Sequence, residues 1–224
     1  MLRNTPVALM FLMALLLGCA GCRHDISSSA RAYPLHTQIT ATVFWVGEPA
    51  GADNVANVQS AWDERWQEHF GGTDDPRRRD GFRPAGFVPR ENPFYFALPY
   101  NDFAGGARKP SAASVVPWAG DQAWGGGESM CKNRWVRISR AGRTCYAQWE
   151  DVGPFQTDDA AYVFGLTAPA NRGNQQAGLD VSPAVRDYLA LGGMDKVDWQ
   201  FVDAADVPPG PWKTIVTTSQ TCWR

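Results

Sequence analysis

The sequence predicts a mainly β domain, a small barrel of short strands carrying long loop and helix insertions. Three observations predict it. Apolar and polar residues alternate in short runs, clusters of Gly, Pro, Asn and Asp punctuate the chain, and helical periodicity is confined to brief stretches. A first strand is expected over residues 38–46, where Ile39, Ala41, Val43 and Trp45 alternate with other neighbours. Residues 54–70 read as a helix, because Val55, Val58, Trp62, Trp66 and Phe70 fall on one stripe and Gly71-Gly72 stops it. Residues 73–93 are rich in Pro, Gly and Arg and read as a long ordered loop, and 92–99 as a second strand closed by Pro99. Residues 105–127 have no periodicity and read as loop.

The clearest signal follows. Residues 134–138 alternate, 140–143 make a turn, and 144–149 alternate again, which is a hairpin. Ser182-Pro183 pairs a capping hydroxyl with proline at the first helical position. Val185, Tyr188 and Leu189 give that short helix its apolar stripe, and Gly192-Gly193 gives its stop. Residues 197–202 form a strongly alternating final strand, with one more expected over 214–218.

The N-terminus speaks to compartment. Arg3, the apolar run 7–17 and Gly18-Cys19 read as an export signal too short for a stable membrane span. Leu16-Leu17-Gly18-Cys19 resembles the lipobox of bacterial lipoproteins, which predicts a signal over 1–18, lipidation at Cys19 and a tether over 19–37 leading to a domain over 38–224. Ordinary cleavage near Ala20-Gly21, and Cys22 as the lipidated residue, are the alternatives. Export permits disulfides. Cys131–Cys145 is the favoured pair because both flank the hairpin, and Cys131–Cys222 is the alternative. The net charge is -2, with Lys+Arg 21 against Asp+Glu 23, so nucleic acid is not an expected partner. His24, His36 and His69 have no ligand spacing, and no nucleotide or phosphate motif occurs, so neither metal nor cofactor is expected.

Two aspartates stand in turn contexts: Asp151 in Asp151-Val152-Gly153-Pro154 and Asp180 in Leu179-Asp180-Val181-Ser182-Pro183. Preceded by the hairpin and by Ala41-Thr42, and followed by strand 197–202, these motifs resemble the double-psi β-barrel of rare lipoprotein A, expansins and barwin-like proteins. The resemblance implies a six-stranded double-psi β-barrel with a short helix after the Asp180 motif and insertions at about 52–92, 103–130 and 156–177. It implies a cell-wall polysaccharide, peptidoglycan above all, as partner, and a place in the bacterial envelope: an outer-membrane lipoprotein facing the periplasm, or a secreted protein. In rare lipoprotein A the activity is lytic transglycosylation; in expansins it is non-hydrolytic wall loosening. Asp180 matches the key acid, Asp151 the accessory carboxylate and Thr42 a site hydroxyl, and Trp149 is the expected sugar-stacking aromatic. Val152 stands where rare lipoprotein A has Arg, and no histidine follows His69.

The chemistry turns on whether the carboxylates meet. A helix start beside Asp180 favours its anion; desolvation or a second carboxylate raises its pKa into the range of an acid. If Asp151 and Asp180 share a cleft, one of them can hold a proton. If they do not, Asp180 is a helix-start residue accepting backbone N–H bonds. Glu150 is expected to face away from Asp151 in a continuous strand. A third reading is a structural envelope lipoprotein whose insertions contact a protein partner.

Overall fold

A computed structural model describes Met1 and residues 31–51 and 56–220. The chain divides into a unit of residues 1–32 and a unit of residues 33–224. Cys19, Cys22 and Cys222, with the expected signal and most of the tether, lie outside the described residues.

Among its described residues the second unit holds ten strands: β1 His36–Val43, β2 Arg79–Asp80, β3 Arg83–Pro84, β4 Tyr95–Leu98, β5 Phe103–Ala104, β6 Ala107–Arg108, β7 Trp135–Arg140, β8 Arg143–Val152, β9 Leu179–Val181 and β10 Asp195–Val202. Six of them close a barrel in the order β1-β10-β7-β8-β4-β9, while β2-β3 and β5-β6 form small ribbons in the insertions. The barrel is mixed. β1 runs parallel to β9 and β4 parallel to β8, and the other neighbours are antiparallel. The expected mainly β barrel is therefore present, with short helices α1 Trp66–Phe70, α2 Ala112–Val115, α3 Ala160–Val163 and α4 Pro183–Leu189.

Local chemistry explains the elements. The β7–β8 hairpin turns through Ala141 and Gly142, both at positive φ (48° and 79°), the turn that matches strand twist. Ser182 caps α4 by accepting from Val185 N, as expected, although Ala190 at φ 54° ends the helix before Gly192. The helix expected over 54–70 shrinks to α1. Within it, Ser60 Oγ accepts from Trp62 N at 3.2 Å and Asp63 Oδ1 from Arg65 N at 2.9 Å. These side chains take the N–H groups that a helix needs, so the chain turns instead. Residues 214–218 form no strand. The Gln148 side chain bridges to the Thr217 backbone in both directions (3.0 and 2.9 Å) and replaces a ladder.

Two apolar clusters lie on opposite faces of β4. Phe96 and Leu98 join the barrel interior with Ala41, Ile138, Cys145, Ala147, Trp149, Leu179, Val181 and Trp199. Tyr95 and Ala97 join Phe44, Val46, Trp66 and Phe70 on the other side, where α1 covers the sheet. Aromatic pairs edge to face fill both clusters, Tyr95 with Trp66 at 5.3 Å among them.

The expected Cys131–Cys145 disulfide is absent, and both cysteines are buried free thiols. Register explains it: Cys145 faces Ile138 midway up the hairpin, whereas Cys131 lies before the hairpin's first paired residue, Trp135. A bridge needs Cα atoms within about 7 Å, and the two thiols stay unbonded.

Candidate functional site

Strand register sets three of the expected site residues in one row. Thr42 on β1 pairs with Asp180 on β9; Asp180 pairs with Ala97 on β4; Ala97 pairs with Asp151 on β8. Laterally paired residues point to one face of a sheet. Because Ala97 belongs to the outer cluster, the row lies on the face away from the barrel interior.

Asp151 reaches that face through a β-bulge. Phe96 pairs with Trp149 and the next residue, Ala97, with Asp151, so Glu150 is the extra residue on β8. A regular strand would put Trp149 and Asp151 on one side. The bulge leaves Trp149 inside and turns Asp151 outward, as bulges beside active sites do. Glu150 turns into its own buried pocket, where Lys132 Nζ lies 2.7 Å from its Oε2.

The row floors a cleft of about 490 Å³ lined also by Phe44, Glu48, Asn57, Val152, Gly153, Pro154, Phe155 and Asn174. Thr42 Oγ1 donates to Asp180 Oδ1. The other oxygen of Asp180 abuts the Asp151 turn: a Cβ added at Gly153 would lie 3.3 Å from Asp180 Oδ2. Asp151 Oδ1 accepts from Ala61 N at 2.7 Å and Val152 N at 2.8 Å. The alternative in which Asp180 merely accepts N–H groups of α4 does not hold; that duty falls to Ser182.

Burial dominates the electrostatics. It pushes Asp151 up to about 7 against the two N–H donors, with the Asp180 charge adding to the push. It pushes Asp180 up to about 6 against the Thr42 hydroxyl, with Glu48 adding to the push. Both side chains are only part-buried, so cleft water moderates these effects. Glu48, whose Oε2 accepts from Asn57 Nδ2 at 2.9 Å, is also raised by burial. Burial thus raises the pKa of all three carboxylates gathered in the cleft. Among the described residues no group of three or more His, Cys, Asp or Glu is arranged to hold a metal ion.

Trp149 is not a platform for a sugar. It is 0% exposed, with its indole N–H donating to Asp151 O at 2.7 Å. The parity of Cys145, Ala147 and Trp149 already carries the signal that it faces the interior. The exposed aromatic of the cleft is Phe155, 52% exposed, which follows Gly153-Pro154 and is held at φ 58°. An apolar ring after a Gly-Pro turn was the available clue to it. Glu48 has no local sequence clue, since only the fold brings its loop over Asp180.

No family model matches this chain, and no curated protein sequence matches it.

Proposed function

We propose that this chain is an exported, lipid-anchored barrel of the double-psi type that cleaves cell-wall glycan by acid catalysis, in the manner of a lytic transglycosylase acting on peptidoglycan. The observation that carries the reading is the row Thr42–Asp180–Asp151 on the floor of an open cleft, with both carboxyls raised toward neutral pH. The mixed six-stranded closure, with its β1–β9 and β4–β8 parallel pairs, supports the barrel family.

Lytic transglycosylation needs one acid and no activated water. Asp180, central in the row, gives its proton to the glycosidic oxygen as the C–O bond breaks. A hydroxyl of the same sugar then attacks the oxocarbenium carbon and returns its proton to the carboxylate, restoring the acid. Glu48 beside Asp180, and the repulsion between Asp180 and Asp151, oppose a second negative charge, so the cleft retains a proton. Thr42 fixes the rotamer of Asp180, and Phe155 offers a face to a sugar ring.

The test is incubation of the protein with peptidoglycan, carrying or stripped of its peptides, and mass spectrometry of the products. Anhydro-sugar ends that vanish in Asp180→Asn are the expected outcome. Binding without products makes the barrel expansin-like, and absence of binding points to a structural envelope protein with a protein partner.

A further inference from the structure

A second pocket, about 430 Å³, opens beside the first half of β1. Thr42 lines the acidic cleft and Thr40 the second pocket; two residues along a strand separate them by about 7 Å. The character of the second pocket is opposite. Its charged group is Lys196, an exposed residue paired with Thr40 across β1–β10. Lys196 Nζ donates to Thr40 Oγ1 at 2.6 Å, and no carboxylate among the described residues lies within ion-pair distance of it. His36, 5% exposed and stacked on Trp199 at 3.9 Å, lines the same pocket, its Nε2 without a hydrogen-bond partner among the described residues. Burial lowers His36 to about 4, so it stands neutral and Lys196 is the cation. Leu166, 80% exposed, supplies an apolar wall.

One turn joins the pockets. Asn174, Gln175 and Gln176 are consecutive non-glycine residues at positive φ (45°, 56° and 60°). Asn174 lines the acidic cleft and Gln176 the second pocket, while the Gln175 carbonyl accepts from Thr40 Oγ1 at 2.8 Å. Left-handed residues other than glycine are strained, so such a run persists only where its surroundings fix it, and such strain gathers at ligand clamps.

We propose that the Lys196 pocket is a second ligand subsite that takes an acidic, partly apolar branch of the glycan whose sugars occupy the Asp151/Asp180 cleft. The inference rests on the glycan reading above and names the branch that the site selects. For peptidoglycan the branch is the peptide carried on the sugar's lactyl group, whose carboxylates meet Lys196 while its alkyl side chains lie on Leu166.

The test titrates the full chain with a wall disaccharide that carries its acidic peptide, and with the same disaccharide lacking it. In Lys196→Gln and Leu166→Ser the affinity for the peptide-bearing ligand is expected to fall, by about tenfold for the lysine change, with the bare disaccharide unaffected. Both positions are exposed, so folding is preserved and circular dichroism checks it. Equal affinity of the wild type for the two ligands, or an equal loss on both in Lys196→Gln, overturns the subsite. Cleavage of stripped glycan that Asp180→Asn abolishes, with no peptide preference, leaves the glycan reading standing while the subsite fails. Binding of neither ligand overturns both.

Discussion

Glu150 and Asp151 are adjacent carboxylates on one strand with opposite circumstances. Glu150 is 1% exposed and meets a buried cation, Lys132, which also donates to Ser219 O at 3.2 Å. Burial still pushes Glu150 up to about 7 against the pull of that ammonium. Among the described residues Asp151 meets no cation; it holds one oxygen on two backbone N–H groups and opens on a cleft beside another acid. The same desolvation therefore serves two ends. Around Glu150 it is offset by charge pairing and locks the β8 bulge to the loop before β7. Around Asp151 it is left partly uncompensated, which lets the Asp151/Asp180 pair hold a proton near neutral pH.

Breaking the closed side should have the largest effect on the fold. Lys132→Met strands a buried carboxylate and is expected to cost about 3–5 kcal/mol by urea denaturation, most of it recovered in Lys132→Met/Glu150→Leu. Breaking the open side should spare stability and remove chemistry: Asp180→Asn is expected to lower product formation by at least about 100-fold. Thr42→Val removes the donor that favours the Asp180 anion. Its pKa should rise and the limb of the pH–rate profile that reports it should move to higher pH, with a rate loss of about tenfold. The pair also predicts a pH signature in stability. The folded state holds protons on Asp151, Asp180 and Glu150 at pH values where the unfolded chain has lost them. Stability is then fully present below about pH 4 as regards these groups and falls as pH rises to about 7. Melting temperatures should drop by about 2–4 °C over that interval, for about 1 kcal/mol retained after solvent screening, and Asp151→Asn should flatten the slope. The smallest effect belongs to the rim. Phe155→Ala is expected to weaken glycan binding about fivefold with no change in melting, a difference that isothermal titration resolves.

Legibility followed locality. The β7–β8 hairpin and the Ser182 cap were readable because alternation, turn residues and capping chemistry lie within a few positions of one another. Asp151, Asp180 and Thr42 were found through their motifs, and register then explained why three distant segments share a row. The Glu150 bulge was not readable, since nothing in Gln148-Trp149-Glu150-Asp151 marks which residue is the extra one. Its position is decided by the match of β8 to β4. Trp62 and Trp66 kept their expected burial while the helix that was to carry them mostly gave way to turns, because Ser60 and Asp63 captured its N–H groups.

The bulge makes the chemistry of this chain a matter of counting. Removing residue 150 alone would restore strict alternation with Trp149 inside and Asp151 still on the cleft. A regular ladder that kept all of Trp149, Glu150 and Asp151 would instead swing Asp151 among the interior aromatics, where Trp149 now stacks near Phe96. Every residue of the cleft would then remain in the sequence, and the cleft would lose an acid. A one-residue deletion at 150 would thus spare the faces and remove only the buried partner of Lys132, and an aligned aspartate in a strand one residue shorter would keep its place in the cleft.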